Sequence, residues 1–155
     1  MIQDAAPCVR RRAACDAESG SPRVLVAEDD PALRGLLVEA LELEGYEVTE
    51  VASGLDLMTE LREGHLASRG YDLVLSDVRM PGCTGLTALE FLRQHDWATP
   101  VVLLTAFGTL DAHEEAQRLG AVVLDKPCDL DEVVAAVQRR APPVRCDGEV
   151  DDWTC

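Results

Sequence analysis

The chain of 155 residues has the length of one domain with modest tails, and its 47% hydrophobic content is ordinary for a packed core. Asp and Glu outnumber Lys and Arg by 29 to 14, a formal net charge of -15, which speaks against a surface that holds nucleic-acid phosphates or anionic lipid. Aromatic residues make up only 4%, so base-stacking platforms are missing and the core must be built mostly from Leu, Val and Ala.

The first 22 residues, MIQDAAPCVRRRAACDAESGSP, have no hydrophobic period and are expected to form a mobile tail; they carry a basic run but no apolar stretch of signal length. RVLVAE (23–28) then has the Val and Leu content of a strand. It runs into Glu28, Asp29 and Asp30, and Asp30-Pro31 offers an N-cap followed by a first-turn proline. A helix is predicted over 31–44, with Leu33, Leu37 and Leu41 on one face and Gly45 just past its end. YEVTEV (46–51) is the second strand, and Ser53 can cap a second helix near 54–63. The connection after it, EGHLASRGYD, is long and is expected to extend that helix or its loop.

DLVLSD (72–77), PVVLLT (100–105) and AVVLD (121–125) supply three more strands, separated by helices predicted over 84–95 and 110–119, the latter closed by Gly120. In the last helix, 129–140, Leu130, Val133, Val134 and Val137 repeat at i, i+3, i+4 and i+7. Residues 142–155, PPVRCDGEVDDWTC, are expected to be a second flexible tail, in which Trp153 is either a contact residue or an exposed side chain without a role. The domain is therefore placed at 23–141. Five apolar strands alternating with five helices predict an α/β fold with a doubly wound parallel sheet and helices on both faces. Of the six cysteines, Cys8, Cys15, Cys146 and Cys155 fall in the tails, Cys83 and Cys128 fall in loops, and no CxxC pair occurs. Free thiols, a cytoplasmic setting and no membrane insertion are expected.

In an open parallel sheet, ligands bind beyond the carboxyl ends of the strands. Those ends deliver Glu28 and Asp29 after the first strand, Asp77 at the end of the third, Thr105 at the end of the fourth and Lys126 after the fifth. Adjacent carboxylates repel and lose hydration when buried, so a cluster of this kind needs a cation. A hard divalent ion such as Mg²⁺, which takes oxygen ligands and keeps several waters, suits it. Such a metal also pairs with phosphoryl oxygens, while Lys126 and the Thr105 hydroxyl are placed to meet others; Asp77 then becomes a candidate nucleophile forming an aspartyl phosphate. Asp30 is preferred as a helix cap. His65, His95 and His113 lack a second ligand at metal spacing in the sequence and are taken as solvated.

The stretches VLVAEDDPALR, YDLVLSDVRMPGCTGL, VVLLTAFG and GAVVLDKP, in this order across about residues 23–141, resemble the receiver domains of two-component response regulators. The resemblance implies a flavodoxin-like fold of strand order 2-1-3-4-5. It implies that Glu28 and Asp29 hold Mg²⁺ together with Asp77 and the backbone carbonyl of Arg79, and that Asp77 accepts the phosphoryl group. Thr105 is then the switch hydroxyl, and Lys126 contacts the phosphoryl group. The implied partners are a sensor histidine kinase or phosphotransfer protein and a downstream protein target, with no direct nucleic-acid contact. A homodimer formed on phosphorylation stays open. Arg79 and Phe107 occupy positions that tune phosphate lifetime in this family.

Four departures stand out. The family often has Tyr or Phe three positions before the lysine, where this chain has Val123, and the stretch from Gly120 to Lys126 is one residue shorter than usual. Lys-Pro-Phe becomes Lys126-Pro127-Cys128, and the first acidic ligand is Glu28 rather than Asp. The expected function is a receiver acting on its own, since no room for an effector domain follows Ala141. The polar helix 110–119 is its output surface, and its own chemistry is limited to autophosphorylation and autodephosphorylation. The alternative is a receiver-like binding module that works without phosphorylation. A Mg²⁺-dependent phosphatase is a further rival, but the Asp-x-Asp that it needs is missing, because Asp77 is followed by VRM.

Overall fold

The computed structural model describes residues 20–66, 70–106 and 110–143. Most of both expected tails, with Trp153 and four of the six cysteines, lies outside the described residues, as does Phe107. The elements follow the predicted order: β1 (Arg23–Ala27), α1 (Pro31–Leu43), β2 (Glu47–Val51), α2 (Gly54–Leu66), β3 (Leu73–Asp77), α3 (Gly85–Arg93), β4 (Val101–Thr105), α4 (Leu110–Arg118), β5 (Val122–Asp125) and α5 (Leu130–Arg140). All pairings are parallel and the sheet order is β2-β1-β3-β4-β5, the flavodoxin-like order that the resemblance implied.

Each central strand is buried on both faces, which is why its sequence is a continuous apolar run. Alternate residues divide the core in two. Leu25, Ala27, Val74, Val101 and Leu103 face α2, α3 and α4 through Leu57, Leu61, Ala88, Leu89, Leu92 and Ala116. Val24, Val26, Leu73, Leu75, Val102 and Leu104 face α1 and α5 through Leu37, Leu41, Val133 and Val137. The helical stripes identified by periodicity are the ones that pack.

Local chemistry sets the boundaries. The Asp30 carboxylate accepts from the Ala32 N–H at 3.0 Å with Pro31 in the first turn, and Ser53 Oγ accepts from the Asp56 N–H at 3.1 Å. Gly45 and Gly120 adopt positive φ of 99° and 76° just beyond α1 and α4. The predicted 84–95 helix is shorter, since Thr84 serves as the N-cap of α3. Part of the long connection becomes an added turn of α2, which runs to Leu66. Among the described residues, no helix is long and apolar enough to cross a membrane.

Candidate phosphoacceptor site

Register brings the strand-end residues together. Ala27 lies opposite Ser76, so the residues that follow, Glu28 and Asp77, leave β1 and β3 side by side. Thr105 lies opposite Asp125, and the Lys126 N–H donates to the Thr105 carbonyl at 2.7 Å, so the lysine turns back over the sheet edge. Its Nζ donates to Asp77 Oδ2 at 2.9 Å and to Glu28 Oε2 at 3.2 Å. One amine thus spans from the fifth strand to the first. Glu28, Asp29 and Asp77 each place a carboxylate oxygen within 4.8 Å of the others; Glu28 and Asp77 are buried and Asp29 is exposed.

Backbone groups hold this cluster in place. The Asp30 N–H donates to Glu28 Oε1 at 3.1 Å, and the Arg79 N–H donates to Asp77 Oδ1 at 3.2 Å. Arg34, one turn into α1, donates to the Glu28 carbonyl at 2.9 Å and pairs with Glu50 at 3.2 Å, tying the acidic loop to β2. Behind Asp77, α3 begins so close to β3 that a Cβ on Gly85 would lie 2.5 Å from the Asp77 carbonyl oxygen. Neither Arg34 nor Gly85 was singled out from the sequence, because a loop tie and a close approach have no local signature.

Burial dominates the electrostatics of Glu28 and pushes its carboxyl up to about 7. The Asp30 N–H opposes this, the Asp77 and Asp29 carboxyls add to it, and Lys126 lowers it. For Lys126, burial acts downward, but the hydrogen bond and charge of Asp77, then those of Glu28, outweigh it and hold the amine above its ordinary value. A single ammonium facing three carboxyls leaves the cluster short of positive charge, and the Asp77 and Asp29 carboxyls add to the rise that burial causes at Glu28. The oxygen-only donor set, part buried and part open, fits a hard divalent cation.

Thr105 ends β4 beside this cluster and is only 3% exposed. Val123 leans on the core cluster that contains Leu103 and Ala116, so the position where the resemblance led to the expectation of an aromatic ring holds a small, inward-packed side chain. The two described cysteines are free; burial raises the thiol pKa of both, and Cys83 Sγ donates to the Gly54 carbonyl at 3.2 Å, which leaves little thiolate at either. Of the three histidines expected to be solvated, His65 and His95 are exposed, while His113 is partly buried. His113 Nε2 lies 3.0 Å from Asp125 Oδ1, and the His65 and His95 rings stack at 4.5 Å.

Comparison with known proteins agrees with this geometry. The family model of the response regulator receiver domain matches residues 24–138, and the chain belongs to that family. It is 39% identical over 117 residues to the DNA-binding transcriptional regulator NtrC of Escherichia coli (strain K12), covering 75% of this chain and 24% of the regulator. It is 35% identical over 124 residues to the sporulation initiation phosphotransferase F of Bacillus subtilis (strain 168), covering 77% of this chain and 94% of that protein. The receiver domain of Francisella response regulator 1452 superposes with a TM-score of 0.68 at 27% identity, over 77% of this chain and 96% of that one. The chain thus spans about a quarter of the length of NtrC and nearly all of the phosphotransferase. Receiver domains are signalling domains that bind Mg²⁺ at an acidic pocket and interact with histidine kinases and phosphotransfer proteins; the matching acidic cluster here is Glu28, Asp29 and Asp77.

Proposed function

We propose that Asp77 accepts a phosphoryl group from a phosphohistidine of a sensor kinase or phosphotransfer protein, in a Mg²⁺-dependent reaction, and that the modified domain changes its protein contacts. The observation that carries this reading is the Lys126 ammonium bridging Asp77 and Glu28 inside an otherwise uncompensated carboxylate cluster. An Asp77 carboxylate oxygen attacks phosphorus, the bond from phosphorus to the donor's imidazole nitrogen breaks, and that nitrogen keeps the electron pair. Water later hydrolyses the acyl phosphate and restores the carboxylate. Mg²⁺ held by Glu28, Asp29, Asp77 and the Arg79 carbonyl would supply the positive charge that lets phosphoryl oxygens approach these acids.

The protein's own groups orient and then read the product. The Arg79 N–H fixes one Asp77 oxygen, and Lys126 moves from the free carboxylate to a phosphoryl oxygen. Thr105 turns its hydroxyl toward the same group. Both neighbours feed into one surface, because Lys126 follows β5 and Thr105 ends the strand before α4. Of the residues in α4 only Ala116 is buried, Leu110 is 75% exposed, and apart from these and Ala112 the helix is polar, as an output surface requires. With Val123 in place of an aromatic ring, the coupling runs through the backbone pairing of Thr105 with Asp125.

The match to a phosphotransferase over most of its length, and to DNA-binding regulators over a quarter of theirs, gives two settings for the same chemistry. Acting alone through protein contacts is one, and driving an attached output domain is the other. The test is intact-protein mass after incubation with acetyl phosphate and Mg²⁺, for the native chain and for Asp77→Asn. One added phosphoryl group that needs Mg²⁺ and is lost in the variant is expected. A folded chain that gains no mass would instead favour a binding module that works without phosphorylation.

A further inference from the structure

At the end of the sheet away from Asp77, the last turn of α2 and the residues just after α3 bring two imidazoles close together. The ring centroids of His65 and His95 lie 4.5 Å apart with the planes tilted by 33°. His95 is steadied by Phe91, whose ring meets it edge-on at 5.0 Å. Both imidazoles are exposed, and neither makes a hydrogen bond to another described residue. They line a cavity of about 340 Å³ together with Gly64, Tyr71, Asp96 and Thr99.

We propose that His65 and His95 form a binding site for a divalent transition-metal ion of the imidazole-preferring class, with the ion clipping the C-terminal ends of α2 and α3 together. Imidazole suits zinc, copper and nickel rather than Mg²⁺, so this site and the acidic cluster select different ions. Two rings sharing a tetrahedral ion at a metal–nitrogen distance of about 2.0–2.1 Å have centroids roughly 5 Å apart. The observed 4.5 Å separation is close to that distance, and both side chains are exposed, so each ring is free to rotate until a nitrogen faces a shared ion. Position favours a cation as well, because both residues sit at the negative ends of helix dipoles. The cavity leaves room for water on the remaining coordination positions. Asp96 is not a third ligand, since its carboxylate already accepts from the Ala98 and Thr99 N–H groups and from the Thr99 hydroxyl.

The experiment is a Zn²⁺ titration of the full chain in excess Mg²⁺, followed through the imidazole nitrogen resonances of its three histidines. Zinc is carried past the equivalents that the six thiols can take up. His65 and His95 are expected to shift together with one affinity. Replacing either by Gln should weaken binding at the other by more than about tenfold, since losing even an outer-shell partner costs a metal site about 10–100-fold. Both side chains are exposed, so these variants keep the fold. Independent titration of the two rings, an unchanged response of one when the other is replaced, or zinc taken by His113 with Asp125 instead would overturn the site.

Discussion

Glu28 shows how one methylene and a buried location set the behaviour of the site. Its side chain is 1% exposed, shares Lys126 with Asp77 and has its carboxyl pushed up to about 7 against an ordinary 4.5. Between those values the folded chain binds more protons than the unfolded one. The contribution of this group to stability is therefore fully present below about 4.5 and is lost as pH rises through about 7. In Mg²⁺-free buffer, Glu28→Gln should remove that dependence. Urea midpoints of the native chain should fall relative to the variant between pH 5 and pH 8, by the equivalent of at most a few kcal/mol, since each tenfold change in proton affinity is worth about 1.4 kcal/mol. Parallel pH profiles for the two proteins would mean that Glu28 is not desolvated in this way.

At the scale of elements, the site depends on how closely α3 starts behind β3. A Cβ on Gly85 would meet the Asp77 carbonyl oxygen at 2.5 Å and Ser76 Oγ at 3.1 Å, and the backbone that would have to yield is that of Asp77, the proposed acceptor. Gly85→Ala is expected to cost about 1–3 kcal/mol and to slow phosphorylation of Asp77. Gly35, in the middle of α1, has open space where its Cβ would be. Gly35→Ala should instead stabilise the chain by roughly 0.4–1 kcal/mol, mainly by restricting the unfolded state. Denaturation curves for the two variants, with acetyl phosphate labelling of Gly85→Ala, check both signs. A tolerated Gly85→Ala with normal labelling would show that α3 can retreat without moving Asp77.

For the molecule as a whole, the proposed metal site links the ends of β1 and β3 to the stability of the entire fold. Any ion that binds only the folded state stabilises it by mass action, about 2.7 kcal/mol at a hundred times its dissociation constant. Thermal melts should therefore rise with added Mg²⁺ and fall back on chelation. Asp29→Asn, which removes an exposed ligand without opening the core, should abolish most of the rise. An equal rise in native and variant chains would place Mg²⁺ elsewhere. The molecule is also closed at its far edge, where the Tyr46 hydroxyl donates to the Ala141 carbonyl at 2.5 Å and joins the start of β2 to the end of α5.

How much of this was legible in the sequence depended on whether the signal was local. The five strands, the caps at Asp30 and Ser53, the glycines after α1 and α4 and the apolar stripes of α1 and α5 all follow from neighbouring residues, because backbone conformation and helical or strand period are local properties. The strand-end acids and Lys126 were also legible, since a parallel sheet sends every such end to one edge. The sequence alone therefore determined the architecture and the composition of the candidate site. Tertiary structure decided what depends on distance across the chain: the single lysine shared by Asp77 and Glu28, the closeness of Gly85 to the Asp77 backbone, and the direction in which burial moves Glu28. It also decided the meeting of His65 with His95. These two lie much further apart along the chain than any local metal-ligand spacing, and only the packing of α2 against α3 brings their rings to 4.5 Å.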